Sequence, residues 1–90
     1  MFSKEEIEKE VSNIFGAPLK VSTGYIINED ALTIRITDQY TNTSVTAKIS
    51  ALEELQCSGK DECSKLLKTR INEMRHFMLS NPGEDRKLLT

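Results

Sequence analysis

A chain of 90 residues, 38% of them hydrophobic, is long enough to bury one small core and too short for two. Its charged fraction of 29% and net charge of −2 exclude the composition of a disordered chain and determine no class of partner. The acidic start, MFSKEEIEKE, and the lack of any run near ~20 apolar residues predict neither a signal peptide nor a membrane segment. We therefore expect a cytoplasmic protein.

A capping box opens the first predicted helix, because Ser3 and Glu6 can each satisfy a backbone amide that a helix start leaves unpaired. Gly16 and Pro18 supply the stop. The pattern predicts a helix from about Ser3 to Phe15. Its apolar residues follow at helical spacing and are Ile7, Val11, Ile14 and Phe15.

Alternation with a period of two replaces the helical period from Leu19 onward. The polar stretches Asn28–Asp30 and Gln39–Thr43 can turn the chain, so the pattern predicts three antiparallel strands with one apolar face. The apolar positions are Leu19, Val21, Tyr25 and Ile27, then Leu32, Ile34 and Ile36, then Val45, Ala47 and Ile49.

A second capping box, at Ser50 and Glu53, predicts a short helical turn that is broken at Ser58 and Gly59. A long helix follows and ends near residues 81–83, where Asn, Pro and Gly stand together. Its apolar stripe consists of Cys63, Leu66, Leu67, Ile71, Met74, Phe77 and Met78.

Both helices must cover the single apolar face of the sheet, which predicts a two-layer α+β domain over residues 1–80. The predicted order is helix, three-stranded antiparallel sheet, short turn and long helix, followed by a mobile tail over residues 81–90. Double-stranded-RNA-binding domains have the same order, so the chain resembles them in topology. It lacks their Gly-Pro-x-His loop at Asn28–Asp30 and their lysine cluster at the start of the long helix, GKDE. The resemblance is limited to topology.

The segment CSGKDEC, residues 57–63, holds both cysteines of the chain. A structural zinc site needs four ligands, usually as two close pairs, and the one histidine, His76, lies far beyond Cys63. We therefore expect no metal or cofactor and two free thiols that serve packing and helix initiation. A disulfide formed on oxidation, and a metal or redox function, are the alternatives. Ser58 is a candidate N-cap of the long helix.

Catalytic chemistry has little support in the sequence. His76 is predicted to face solvent, and Glu73 is its only local companion for acid–base work. The chain contains no nucleophile motif, phosphate loop or dinucleotide fingerprint. We expect that the protein is not an enzyme.

Arg70 projects into the middle of the apolar stripe, where a charge is costly unless it is paired. One interpretation is an ion pair at the rim of the core, with Glu10 or Asp38 as the partner. The other is that this part of the stripe is an interface.

The outward face of the long helix is basic, whereas the first helix exposes mainly glutamates. Such charge separation can bind another protein, including a second copy, or a polyanion. The leading hypothesis is a non-enzymatic protein-interaction module, which self-associates through a sheet edge or the long helix. The alternatives are a nucleic-acid-binding regulator and, less favoured, a thiol-responsive protein. The candidate interaction residues are Lys65, Lys68, Arg70, Arg75, His76 and Leu79.

Overall fold

The computed structural model describes residues 2–88, with the backbone alone at Leu88. Within that range it confirms the two-layer α+β fold and adds one strand to the three predicted. The elements are helix α1 (Lys4–Phe15), strand β1 (Lys20–Ile26), a 3-10 turn (Ile27–Glu29), strands β2 (Ala31–Asp38) and β3 (Thr43–Ser50), helices α2 (Ala51–Gln56) and α3 (Gly59–Ser80), and strand β4 (Asp85–Leu88).

Local hydrogen bonds fix the start of α1 and α2 as the sequence predicts. The Ser3 hydroxyl accepts from the Glu6 amide at 3.1 Å, and the Glu6 carboxylate accepts from the Ser3 amide at 3.3 Å. Ser50 and Glu53 form the same box at α2. Gly16 ends α1 in the left-handed conformation, with φ of 75°, which glycine adopts without a Cβ clash.

Helix α3 begins directly after Ser58, but its cap differs from the predicted one. The Ser58 side chain makes no capping bond. Instead, the carboxylate of Glu62 accepts from the Ser58 backbone amide at 2.8 Å. An acidic side chain in the first turn therefore satisfies the helix start, where it also matches the positive end of the helix dipole.

The sheet has the order β1-β2-β3-β4. Strands β1, β2 and β3 pair antiparallel, as predicted, and β4 pairs parallel to β3. The sequence pattern placed residues 85–88 in a tail outside the sheet, and the structure places them in the sheet. Residues 89 and 90 of that tail lie outside the described residues.

The sequence of β4, DRKL, has no apolar alternation that would predict a strand. The strand is held by contacts with distant residues. The Gly83 amide donates to the Thr43 hydroxyl at 2.7 Å, and the Ser44 amide donates to the Glu84 carbonyl at 2.8 Å. These bonds bring the chain back to the open edge of β3 after α3 ends.

The core lies between one face of the sheet and the helices α1 and α3. Its members come from alternate strand positions and from the apolar stripes of the two helices, as the period of each element predicts. The buried cluster consists of Ile7, Val11, Val21, Leu32, Ile34, Ile36, Val45, Ala47, Ile49, Leu67, Ile71, Met74, Phe77 and Met78.

Candidate interaction surfaces

Arg70 is buried within α3, with 9% of its surface exposed. Its guanidinium forms ion pairs with Glu53 of α2 and, at 3.4 Å, with Glu73 of α3. The predicted partners, Glu10 and Asp38, were wrong. Glu10 lies 4.0 Å from Lys68 instead.

Glu53 performs two tasks with its two carboxylate oxygens. One oxygen accepts from the Ser50 amide and hydroxyl, both at 3.2 Å, and completes the capping box of α2. The other accepts from Arg70. The Arg70–Glu53 pair thus fixes α2 to α3, and Arg70 is too buried to serve as a contact residue in this conformation.

Cys57 and Cys63 form a disulfide, so the expectation of two free thiols was wrong. Cys57 caps the end of α2 and Cys63 lies in the second turn of α3. The chain reverses between them at Gly59, whose φ is 83°. This brings the two Cα atoms to 5.2 Å, within the range that a disulfide requires.

The remaining predicted contact residues are exposed on α3. Lys65, Lys68, Arg75 and His76 all face solvent, and Leu79 has 65% of its surface exposed. The same helix also exposes acidic side chains, namely Asp61, Glu62 and Glu73. The face therefore carries charges of both signs. Glu73 is paired with Arg70 rather than with His76.

Sequence reasoning missed an apolar surface at one end of the sheet. Ile27 and Leu55 are 85% and 82% exposed, and Leu52 is 64% exposed. We call these three residues the sheet-end surface. They belong to one end of the molecule, because the strand ends Ile26 and Ser50 both pair with Ala31, and Ile27 and α2 follow those strand ends.

Two signals in the sequence pointed to this surface. Helix α2 is only six residues long, and its leucines are spaced at i and i+3 without a matching apolar partner segment. The other signal is the position of Ile27 beside a polar turn. The alternation had placed Ile27 on the apolar face of the sheet. The structure places Ile27 in the 3-10 turn, beyond the end of β1.

An ion pair on the opposite face of the sheet joins β2 to β4. The guanidinium of Arg35 donates to both carboxylate oxygens of Asp85, at 3.0 and 2.9 Å, and also to the Thr46 hydroxyl at 3.3 Å. Hydrogen bonding to Arg35 lowers the pKa of the Asp85 carboxyl. This two-point contact is the side-chain link that holds β4 from the solvent face.

A groove of ≈ 320 Å³ lies between α1 and the start of α3. Its charged rim carries both signs, so its electrostatics favour neither cations nor anions. The lining residues are Phe2, Glu6, Lys9, Glu10, Lys60, Asp61, Cys63, Ser64 and Leu67.

Over residues 2–88, no helix combines the length and the apolar character that crossing a bilayer requires. Within the same range, no three histidine, cysteine or acidic side chains are grouped as a metal site. No protein-family model, curated protein or solved structure matches this chain.

Proposed function

We propose that this chain is a non-enzymatic module that binds another protein through the sheet-end surface. The supporting observation is that α2 buries none of its residues yet is fixed firmly to the domain. A helix that adds nothing to the core and still presents two exposed leucines is explained by a partner that covers them.

Three links hold α2 in place. The Ala51 amide donates to the Asp30 carbonyl at 2.9 Å, which joins the helix start to the turn beside Ile27. The Arg70–Glu53 ion pair joins its middle to α3. The disulfide joins its end to α3. An immobilised apolar surface binds with a smaller loss of conformational entropy than a flexible one, so these links favour binding.

The proposed partner presents an apolar patch rather than a polyanion. Ile27, Leu52 and Leu55 offer no positive charge to a phosphate, whereas the buried centre of a protein interface is more apolar than the rest of a protein surface. Cytoplasmic location remains a prediction. The disulfide bears on it, because persistent disulfides are typical of oxidising compartments.

The test compares how well the full chain and two variants capture a protein partner. Leu52→Ser combined with Leu55→Ser removes the α2 part of the surface. Leu79→Ser is the control on α3, because Leu79, at 65%, is exposed to the same degree as Leu52, at 64%. We expect a protein to be retained by the wild type and by Leu79→Ser, and lost by the double variant. Circular dichroism checks that both variants keep the fold.

Nucleic-acid binding is the outcome that would replace this proposal. In that outcome the chain captures DNA or RNA, and the Leu52 and Leu55 double variant still does so. Replacement of Lys65, Lys68 and Arg75 by Gln abolishes the capture, which would assign the function to α3. Retention of the same protein by all variants would remove the sheet-end surface from consideration.

A further inference from the structure

Strand β1 is an open edge of the sheet. It is seven residues long, Lys20–Ile26, and pairs with β2 without interruption. Its single charge is at its first residue, and it contains no proline. The other edge among the described residues, β4, is four residues long and carries Asp85, Arg86 and Lys87. Short length and charge protect an edge from pairing, so β4 is protected and β1 is not.

The hydrogen-bonding groups that β1 presents can be deduced from one bond. The Ala51 amide donates to the Asp30 carbonyl at 2.9 Å, so this bond flanks the Ala31–Ser50 pair. Such flanking bonds mark a pair whose own amides and carbonyls point away from each other. The amide and carbonyl of Ala31 therefore face Ile26 of β1.

Alternation along β1 then gives the direction of every other residue. Ile26, Gly24, Ser22 and Lys20 direct their amides and carbonyls toward β2. Val21, Thr23 and Tyr25 direct theirs toward the open edge, where no described strand accepts them.

The side chains of these same three residues share the helix-covered face of the sheet. Val21 is buried there, with 7% exposed, but Thr23 is exposed and Tyr25 is 45% exposed. The helix layer therefore ends before it covers the second half of β1. A strand added at this edge would cover the Tyr25 ring as well as the backbone groups.

We propose that two copies of this chain pair through β1, antiparallel, with Thr23 on the two-fold axis. This pairing deepens the proposed function. It also rests on that function, because it takes from it the premise that the chain acts by protein contact. It assigns a second copy to β1 and leaves the sheet-end surface free.

The register follows from the length of the strand. Thr23 is the midpoint of Lys20–Ile26, so a two-fold axis at Thr23 overlaps all seven residues of each copy. Val21 of one copy then lies opposite Tyr25 of the other, and both present amides and carbonyls to each other. Lys20 lies opposite Ile26, so the one charge of the strand never meets itself. The edge is thus complementary to itself, as an isologous interface requires.

Cross-linking tests this register directly. The cysteines of the chain are both in the disulfide, so a cysteine placed at residue 23 supplies the one free thiol. Across the proposed axis the two residues 23 are about 5.5 Å apart at Cα, within reach of a disulfide. The matched control is Ser22→Cys, whose two copies would be about 7–8 Å apart and so out of reach.

We expect Thr23→Cys to form a covalent dimer under mild oxidation at a rate about ten times that of Ser22→Cys or more, because only the first pair has bridging geometry. Equal cross-linking of the two variants, or none in either, would overturn the proposed register.

Sedimentation equilibrium separates this inference from the proposed function. The wild type is expected to have the mass of a dimer, and Thr23→Lys, a charge on an exposed position of the edge, the mass of a monomer with an unchanged circular-dichroism spectrum. The variant Leu52→Ser with Leu55→Ser is expected to remain a dimer. A monomeric wild type, or a dimer that Thr23→Lys leaves intact, would contradict pairing through β1. Dissociation by the leucine variant alone would assign the self-contact to the sheet-end surface.

Discussion

Arg70 occupies a position of α3 where neighbouring helical positions are apolar, and its charge is tolerated because Glu53 and Glu73 meet it. Loss of the guanidinium would leave one oxygen of the half-buried Glu53 carboxylate without its partner, while the other keeps its bonds from Ser50. We expect Arg70→Ala to lower the free energy of unfolding by about 1 to 3 kcal/mol, measured by urea denaturation.

The control for this variant is Glu73→Ala. The Glu73 side chain is 51% exposed and 3.4 Å from Arg70, so we expect a loss below about 1 kcal/mol. Equal effects of Arg70→Ala and Glu73→Ala would show that the pair with Glu53 contributes nothing to the fold.

The stabilisation that the Arg35–Asp85 ion pair gives to the solvent face of the sheet depends on pH. Its folded pKa is lowered by the hydrogen bonds from Arg35, so the pair stabilises the folded state at pH values above the unfolded pKa of about 3.9. This stabilisation is lost as the pH falls through the lower, folded pKa. We expect the protection of β4 amides, corrected for intrinsic exchange, to fall on acidification while that of β2 amides persists, as measured by hydrogen exchange.

Asp85→Asn is the control for the pH effect, because an amide does not titrate in this range. The variant should show weakened β4 protection at neutral pH and little further change on acidification. A wild-type profile in which β4 and β2 lose protection together would mean that the ion pair does not hold the strand.

Among the elements, α2 depends most on covalent and ionic links. The disulfide closes a short loop between Cys57 and Cys63, and such a loop contributes about 2 kcal/mol by restricting the unfolded chain. We expect reduction to lower the free energy of unfolding by that amount and to raise hydrogen exchange in residues 51–57 before the rest of the domain. The Cys57→Ala, Cys63→Ala variant should behave like the reduced protein whether or not a reductant is present. Equal protection of α2 in both redox states would contradict this view of the disulfide.

For the whole molecule, the distribution of charge predicts weak affinity for nucleic acid. The net charge is −2, and α3 exposes Asp61, Glu62 and Glu73 beside its basic residues. We expect no submicromolar binding of labelled duplex DNA or RNA at about 0.15 M salt, measured by fluorescence anisotropy. Tight binding that falls steeply with salt, and that replacement of Lys65, Lys68 and Arg75 by Gln weakens, would contradict this prediction.

Features that depend on near neighbours in the chain can be predicted from its amino-acid sequence. The capping boxes at Ser3 and Ser50 involve residues three apart, and the core face of β2 and β3 follows from strict alternation. These patterns fixed the helices, three strands and the two-layer α+β class, because hydrogen bonds within a helix turn and the period of a strand are local properties.

Features that join distant segments of the chain follow from its three-dimensional packing and not from local patterns. Strand β4 depends on bonds between Gly83 and Thr43, forty residues apart, and Arg70 found its partner seventeen residues away in α2. The exposure of Tyr25 was equally hidden, since its place in the alternation matches that of buried Val21. In each case the outcome depends on where the helices end over the sheet and on which segments the packed core brings together. The local period of the sequence encodes neither of these features.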